Sequence, residues 1–250
     1  MKRHSQSFAD LLTRYPAVTD EFATMRLVLS GRSIARYGDG EFKMAAHNVG
    51  IKPQRQNDHL SQRLRDILCN SGECLVGIPN IHDVLASPDS LETKKDFWSG
   101  QVKFHSHLNP KRQYVSSLIS RPDSAPWINT DEYWDLLQSL WVGQDVTVVG
   151  GSGKSLKPED LEGACEITHI QCPRQHAFAE YDDILKRIGT PKRALICLGP
   201  TATVLAVDLC RRGVHAIDLG HVAMFLRKRK RGEPMWVSDD DKAVDRLAVA

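Results

Sequence analysis

The sequence has little net charge and no long apolar run, and these two absences exclude several classes of protein. Its 33 Lys and Arg residues nearly balance its 31 Asp and Glu residues, which leaves a formal net charge of +2 at pH 7. The chain as a whole therefore lacks the basic surface of a nucleic-acid-binding protein. No apolar stretch approaches the ~18 residues of a membrane span, and the polar start MKRHSQSFADLL lacks the apolar core of a secretory signal. We expect a cytoplasmic protein that binds no nucleic acid.

The cysteines also lack a recognisable pattern. None of the six forms a C-x-x-C pair, so the sequence contains no motif of a zinc ribbon or of a thioredoxin-like protein. In the expected compartment they are reduced thiols.

What is present is a regular alternation of predicted strands and helices. The apolar, β-branched run DVTVVGG predicts a strand, and the amphipathic stretch HLSQRLRDILCN predicts a helix. Such alternation along the chain indicates an α/β fold with a mostly parallel sheet and helices on both faces. With 41% hydrophobic residues, we expect one domain over residues 1–250, with a helical N-terminal segment over residues 1–32. For the tail, residues 237–250, no definite structure is predicted.

The stretch SIARYGDGEF ends a predicted strand with two carboxylates. Asp39 and Glu41 flank Gly40, and ligands of open α/β sheets bind beyond the carboxyl ends of the strands. Side chains two apart on an extended segment point the same way. The two acids can therefore share a divalent metal, which is often held by one or two carboxylates plus substrate phosphates. Gly38 and Gly40 leave room for a phosphate. The alternative is an ordinary Asp-Gly turn and a solvated Glu.

A second candidate site is the glycine-rich stretch VVGGSGKS, which follows the clearest predicted strand. It fails the P-loop pattern G-x-x-x-x-G-K-[ST], because Val148 occupies the position of the first glycine. Its glycines, among them Gly151, and the cation of Lys154 still suit a phosphate. A plain glycine-rich turn between a strand and a helix accounts for the same residues.

A third candidate is the stretch LGPTAT. Gly199 permits a tight turn, Pro200 suits the first turn of a helix, and the hydroxyl of Thr201 or Thr203 can bind an anion at the helix N-terminus. Ordinary helix capping is the alternative.

Two further clusters have more than one interpretation. His105 and His107 form an H-x-H pair, but without other spaced ligands we expect a structural role rather than a metal site. Five consecutive bases, Arg227 to Arg231, predict a solvated loop. The alternative is a surface for an anionic acceptor or for an acidic membrane, which would place the protein peripherally at the inner membrane face.

Three stretches, taken in order, resemble the bacterial GT-D-type glycosyltransferase family: SIARYGDGEF, SLISRP and LICLGPTATVLAVDLCRRGVHAIDLGH. The resemblance spans about Ser33 to Arg227. It implies a Rossmann-like fold, a nucleoside-diphosphate sugar such as a UDP sugar as donor, and a divalent metal, Mn²⁺ or Mg²⁺, at the family's Asp-x-Glu motif.

The family's roles can be carried over to matching residues. Asp39 and Glu41 match the Asp-x-Glu motif, Arg36 lies on the strand before it, and Arg121 lies in the Ser-Arg-Pro element. His221 closes the last matching stretch, and with Arg36 and Arg121 it is a candidate for nucleotide or phosphate binding. The run VAMFLRKRKR after His221 departs from the acidic continuation of many members, which suggests an anionic or lipid-linked acceptor.

The sequence thus predicts a metal-dependent glycosyltransferase of polysaccharide biosynthesis. The enzyme would move a sugar from a nucleoside-diphosphate sugar to a hydroxyl of a glycan or glycolipid. Asp39 and Glu41 are the candidates both for the metal ligands and for the catalytic base, and the sequence does not divide these roles between them. Two alternatives stay open: a nucleotide-dependent phosphotransferase or hydrolase built on the GGSGKS loop, and a non-catalytic module that binds a nucleotide sugar and leaves it intact.

Overall fold

The structure is a computed structural model that describes residues 8–105, 107–151 and 155–237. Its strands are β1 (Val18–Thr19), β2 (Ile34–Arg36), β3 (Leu75–Ile78), β4 (Tyr114–Ser116), β5 (Val146–Gly151), β6 (Ile167–Cys172), β7 (Arg193–Cys197) and β8 (His215–Asp218). Within the described residues these strands form one sheet in the order β1-β4-β3-β2-β8-β7-β5-β6, and each pairing is parallel. The predicted α/β fold with a mostly parallel sheet is confirmed.

Helices connect and cover the strands. They are α1 (Phe8–Thr13), α2 (Glu21–Leu29), α3 (Asp39–His47), α4 (Asp58–Cys69), α5 (Ile81–Ala86), α6 (Glu92–Gln101), α7 (Asp131–Gln138), α8 (Tyr181–Ile188), α9 (Pro200–Arg211) and α10 (Val222–Lys230). Short 3-10 turns lie at Val102–Phe104, Ser117–Ser120, Pro126–Ile128, Pro158–Asp160 and Ala177–Glu180. Every residue of β5 is buried, on both faces of its strand, as expected for a parallel sheet covered on both sides. None of the described helices has the length and apolarity to cross a membrane.

Helix α4 shows how local sequence sets these elements. The side chain of Asn57 accepts a hydrogen bond from the N–H of Leu60 and so caps the helix. Leu60, Leu64 and Leu68 recur at helical spacing and are fully buried. Helix α9 packs against the central strands β2 and β8, and most of its residues are buried. The N-terminus of α9 is therefore fixed beside the ends of these strands.

Three local predictions were wrong. The segment 1–32 is not wholly helical, because β1 pairs with β4 and extends the sheet. Asp39 and Glu41 do not lie on an extended segment but in the first turn of α3. The basic run Arg227 to Arg231 is not a loop; its first four residues form the last turn of α10, and Arg231 caps that helix. Lys154 and most of the tail lie outside the described residues.

The order of the strands creates a crevice at the carboxyl edge of the sheet. From β5 the chain passes to β6 on one side, whereas from β7 it passes to β8 on the other. From β2 the chain passes to β3 and then β4, in the same direction across the sheet as from β7 to β8 and opposite to the step from β5 to β6. Since all strands are parallel, their carboxyl ends meet at one edge, and such reversals of direction are where α/β proteins bind ligands.

Candidate active site at the carboxyl edge of the sheet

A cavity of about 580 Å³ opens at this edge. Ten residues singled out from the sequence line it: Arg36, Gly38, Asp39, Gly40, Glu41, Arg121, Gly151, Gly199, Pro200 and His221. Thr201 is not among them, because its side chain is fully buried within the protein. Lys154 lies outside the described residues. The fold thus brings together candidates that follow or end the strands β2, β4, β5, β7 and β8.

The two predicted acids lie at the N-terminus of α3. Residues two apart on a helix point to different sides, so the shared orientation expected of an extended segment does not apply to them. Both residues nevertheless line the cavity. The Asp39 side chain is 43% exposed, and Lys43 Nζ lies 3.0 Å from its Oδ2. Glu41 Oε2 accepts a hydrogen bond of 2.8 Å from the N–H of Gly38. Both carboxylates are favoured at a helix N-terminus by its partial positive charge.

Burial raises the pKa of the Glu41 carboxyl to about 7. The carboxylates of Asp218 and Asp39 add to this rise, whereas the N–H of Gly38 opposes it. The site therefore contains a carboxyl group that can exchange a proton near neutral pH or, when ionised, bind a cation.

Asp218 is a site residue that the sequence analysis missed. It ends β8, lines the cavity and is buried. Its Oδ2 accepts a hydrogen bond from the backbone N–H of Arg36, and its Oδ1 accepts one from the N–H of Gly220. Burial raises the pKa of the Asp218 carboxyl, and Arg36 opposes the rise. An acid that closes the apolar run of a strand, as in HAIDLGH, is the signal that could have identified it.

Arg36 joins three parts of the cavity wall. Its Nη1 donates to the carbonyl oxygen of Ser117 at 2.7 Å and to Ser120 Oγ at 2.6 Å. Its Nη2 lies 3.6 Å from Asp218 Oδ1. Gly220 has a φ of +52°, and a Cβ built there would lie 2.3 Å from the same Nη2. Most of the Arg36 guanidinium thus contacts groups of the protein, and these contacts hold the cavity wall together.

The glycine turn before α9 leaves the start of that helix open. Gly199 has φ +55° and ψ −143° and is the N-cap, with no side-chain hydrogen bond to cap the helix. The Thr203 hydroxyl donates to the carbonyl oxygen of Arg36 and is therefore engaged. The backbone N–H groups in the first turn of a helix have no intrahelical acceptor and attract anions. No side chain of the described residues caps the N-terminus of α9, so the alternative of ordinary helix capping does not apply to this stretch.

The second glycine-rich turn allows a close approach of backbone segments. A Cβ at Gly151 would lie 2.9 Å from the Cα of Arg174, and one at Gly150 would overlap the side chain of Ser155. Gly151, Ser155 and Arg174 all line the cavity. Here the glycines are required by packing, which agrees with the plain-turn interpretation without excluding a phosphate on the cavity side.

Two loops meet over one side of the cavity. The N–H of His176 donates to the carbonyl oxygen of Pro53 at 2.8 Å, and His176 Nδ1 accepts from the N–H of Arg55 at 3.0 Å. Gln54 Oε1 accepts from the N–H of Phe178 at 3.3 Å. These bonds link the loop between α3 and α4 to the loop after β6, so the two halves of the sheet are tied together above its edge.

The fit of a divalent metal depends on the carboxylates of α3. No group of three or more His, Cys, Asp or Glu side chains is arranged for a metal among the described residues. Magnesium, however, is usually held by one or two carboxylates together with substrate phosphates, and Asp39 and Glu41 offer such a pair at the cavity wall. Their donor set fits a metal that arrives with a diphosphate.

The H-x-H pair and the basic run have structural surroundings. His105 is buried, with its ring 4.1 Å from that of Phe42 and 5.3 Å from that of Tyr15, which agrees with the structural role predicted for it. The side chains of the basic run have acidic partners in the chain: Arg227 with Asp160, Arg229 with Asp131, and Lys228 and Arg231 with Glu233. Lys230 Nζ donates to the carbonyl oxygen of Glu159. An external anion is therefore not required to hold this run together.

A single parallel sheet with carboxylates and an open helix N-terminus at its carboxyl edge is the arrangement in which α/β proteins bind nucleotides and other phosphate ligands. Comparison with known proteins specifies the family. The family model described as glycosyltransferase GT-D fold matches residues 34–244. This chain belongs to that family, as the resemblance of its motifs implied.

Individual relatives agree. The probable glycosyl transferase Gly of Streptococcus gordonii is 32% identical over 212 residues, which are 78% of this chain and 30% of the relative. Glycosyltransferase GlyD of Streptococcus pneumoniae serotype 4 is 29% identical over 76% of this chain and 25% of its own length. The chain therefore spans less than a third of the length of these curated relatives.

Solved structures share the fold over nearly the whole chain. The conserved domain of unknown function 1792, described as having a distinct glycosyltransferase fold, superposes with a TM-score of 0.80 at 28% identity, covering 93% of this chain and 88% of that one. A glycosyltransferase of the same domain family from Streptococcus sanguinis gives a TM-score of 0.74 at 27% identity, covering 87% and 86%. The predicted GT-D-like fold is confirmed.

Proposed function

We propose that this chain is a metal-dependent glycosyltransferase that takes a sugar from a nucleoside-diphosphate sugar and transfers it to a hydroxyl of a glycan or glycolipid acceptor. The observation that carries the proposal is one cavity that contains both the carboxylates of α3 and the open N-terminus of α9. A diphosphate with a divalent cation needs both features, because one supplies ligands for the cation and the other supplies N–H donors for the phosphates.

Asp39 and Glu41 would hold the metal. Asp39 is the better placed of the two, since its side chain is 43% exposed, whereas Glu41 keeps one oxygen on the N–H of Gly38. A bound Mn²⁺ or Mg²⁺ would neutralise charge on the diphosphate leaving group. Lys43 already pairs with Asp39 and would have to give up that contact.

Residues of the chain would bind and orient the donor. The turn at Gly199 and Pro200 presents the N-terminus of α9 to a phosphate, and Arg121 adds a cation from the other half of the sheet. A buried wall formed by Arg36 and Asp218 keeps these elements at a fixed separation. The acceptor would be a hydroxyl group of a glycan or glycolipid.

The test measures release of nucleoside diphosphate from a panel of nucleotide sugars, with Mn²⁺ or Mg²⁺ and a mixture of glycan and glycolipid acceptors. We expect Asp39→Asn and Glu41→Gln each to lower turnover by about two orders of magnitude or more, the scale of losing a key electrostatic group. Glu41→Gln keeps an oxygen that can accept from Gly38, so the fold should survive. Asp66→Asn, an exposed acid on α4, is the matched control and should turn over like the wild type.

Two outcomes would contradict the proposal. Turnover near the wild-type rate in both Asp39→Asn and Glu41→Gln, after chelation and return of the metal, would remove the metal role. A wild-type protein that binds a nucleotide sugar but leaves it intact with every acceptor would instead be a binding module.

A further inference from the structure

Arg121 lines the cavity, and its guanidinium is held by a carboxylate two residues further along the chain. Nε donates to Asp123 Oδ1 at 2.7 Å, and Nη2 donates to Asp123 Oδ2 at 2.8 Å. This two-bond contact fixes both the position and the plane of the group. It occupies two of the five N–H donors of an arginine, so the other donors remain outside this pair.

A second cation, from a different element, holds the same carboxylate. Lys94 of α6 places Nζ 2.5 Å from Asp123 Oδ2 and 3.5 Å from Ser124 Oγ. The Asp123 side chain is fully buried. Burial alone would raise the pKa of this carboxyl, but Arg121 and Lys94 hold it well below its usual range, so it is charged. One anion thus serves two cations, and the cluster keeps a net charge of +1.

The guanidinium also lies within electrostatic reach of the acids of α3. Burial would lower the pKa of Arg121, but Asp123 raises it on balance, with Asp39 and Glu41 adding to the rise. A metal diphosphate held by the acids of α3 would therefore lie near a fixed cation. An arginine that is not tethered must lose side-chain entropy when it binds a phosphate, whereas one that is already held loses little.

We infer that Asp123 and Lys94 are positioning residues, which hold the guanidinium of Arg121 ready to bind the diphosphate of the donor. The inference rests on the proposed function, because it takes a nucleoside diphosphate as the ligand of the cavity. It adds that α6, through Lys94, helps to set the affinity for the diphosphate although Lys94 itself touches Asp123 rather than the ligand.

The decisive variant is Asp123→Asn, because a positioning role and a purely electrostatic role of Asp123 predict opposite changes in diphosphate affinity. The substitution removes a negative charge and makes the cluster more positive, so a purely electrostatic role predicts tighter binding of a diphosphate. A positioning role predicts weaker binding, by roughly twofold to tenfold, since a freed arginine must be ordered again on binding. The probes are UDP, GDP and ADP with Mg²⁺, measured by calorimetry, and the matching uncharged nucleosides, measured by competition.

The nucleosides separate positioning from damage to the fold. General damage would weaken nucleosides and diphosphates alike, whereas loss of the tether should weaken only the diphosphates. Lys94→Met should weaken diphosphate binding about threefold to tenfold, and Lys94→Arg should restore it. Lys95→Met is the matched control, because Lys95 is the next residue of α6 and pairs with the exposed Glu92; it should bind like the wild type.

The outcomes are distinct. Diphosphate binding by Asp123→Asn that is equal to or tighter than the wild type would overturn this inference and leave the proposed function standing. If Asp123→Asn proves unfolded by thermal melting, Lys94→Met decides, and affinity equal to that of Lys95→Met would overturn the inference. A wild-type protein that binds none of the three diphosphates would overturn both the inference and the proposed donor.

Discussion

Replacing Gly220 by alanine should disturb the wall of the cavity, because the added Cβ would meet the side chain of Arg36. Gly220 follows β8 with a φ of +52°, and a Cβ there would lie 2.3 Å from Arg36 Nη2. The far end of an arginine usually moves aside at little cost. Here it is buried and donates to Ser117 and Ser120 while it pairs with Asp218, so it cannot move without losing contacts.

The expected magnitude follows from two contributions. A side chain at positive φ costs about 1 kcal/mol, and losing one hydrogen bond of a buried charged group costs roughly 1.5–3 kcal/mol. Together they lower the free energy of unfolding by about 3 kcal/mol. Gly213→Ala is the matched control, because Gly213 has φ +79° and a Cβ there would meet no atom within 4 Å. It should show the backbone contribution alone, about 1 kcal/mol.

Thermal and urea unfolding of the two variants measure the difference. For a chain of 250 residues, a gap of about 2 kcal/mol corresponds to a difference in Tm of roughly 4–8 °C. Equal stability of Gly220→Ala and Gly213→Ala would show that the guanidinium of Arg36 moves without loss, and would refute the view that it holds the wall together.

Three other substitutions test separate parts of the structure. Gly199→Val should weaken binding of a nucleoside diphosphate at least about tenfold in calorimetry, because a side chain at φ +55° is strained and shifts the turn. Unchanged affinity in a folded variant would show that the phosphate binds at another place in the cavity. Arg227→Met should lower the free energy of unfolding in urea by about 2 kcal/mol or more, since it leaves the buried Asp160 carboxylate without its ion pair. Arg229→Met, at an exposed residue, should lower it by less than about 1 kcal/mol. Equal losses in the two variants would contradict a stabilising role of the Arg227–Asp160 pair. Burial lowers the pKa of His105 to about 3, so between that pKa and pH ~6.5 the unfolded chain binds a proton that the folded one does not. Stability therefore falls as the pH decreases through this range, by up to about 1.4 kcal/mol per unit. His105→Phe should remove this share of the slope between pH 4 and 6, and an unchanged slope would show that His105 is not its source.

The sheet was predictable because its signal is local. Runs such as Val146–Gly151 and Arg193–Cys197 are mainly apolar and have buried interiors, which marks strands covered on both faces. Strand order was not predictable, since it depends on pairings between distant residues. The hydrogen bond from the N–H of Arg36 to Asp218 joins residues that are 182 positions apart, and no pattern near either residue indicates it.

The acids of α3 show where local patterns mislead. The strand before Asp39 suggested that both acids lie on an extended segment, and this interpretation missed a second signal: Glu41 is the third helical residue after Gly38, a position where a carboxylate caps a helix. The basic run shows a different limit. Like charges in sequence predict repulsion, but Asp131 and Asp160, which compensate Arg229 and Arg227, come from distant parts of the chain.

The pairing of β2 with β8 has a consequence for the way the protein folds during synthesis. Ile34 lies opposite Ile217 in the sheet. These two strands at the floor of the cavity can therefore pair only after the whole chain segment between them has left the ribosome. Pairings of such large sequence separation form late, because loop closure must precede any gain from contacts. A shorter nascent chain can pair β2 with β3, but it has no complete cavity. A ligand of the cavity therefore recognises the finished fold alone, and it should stabilise that fold by mass action without assisting the steps that lead to it.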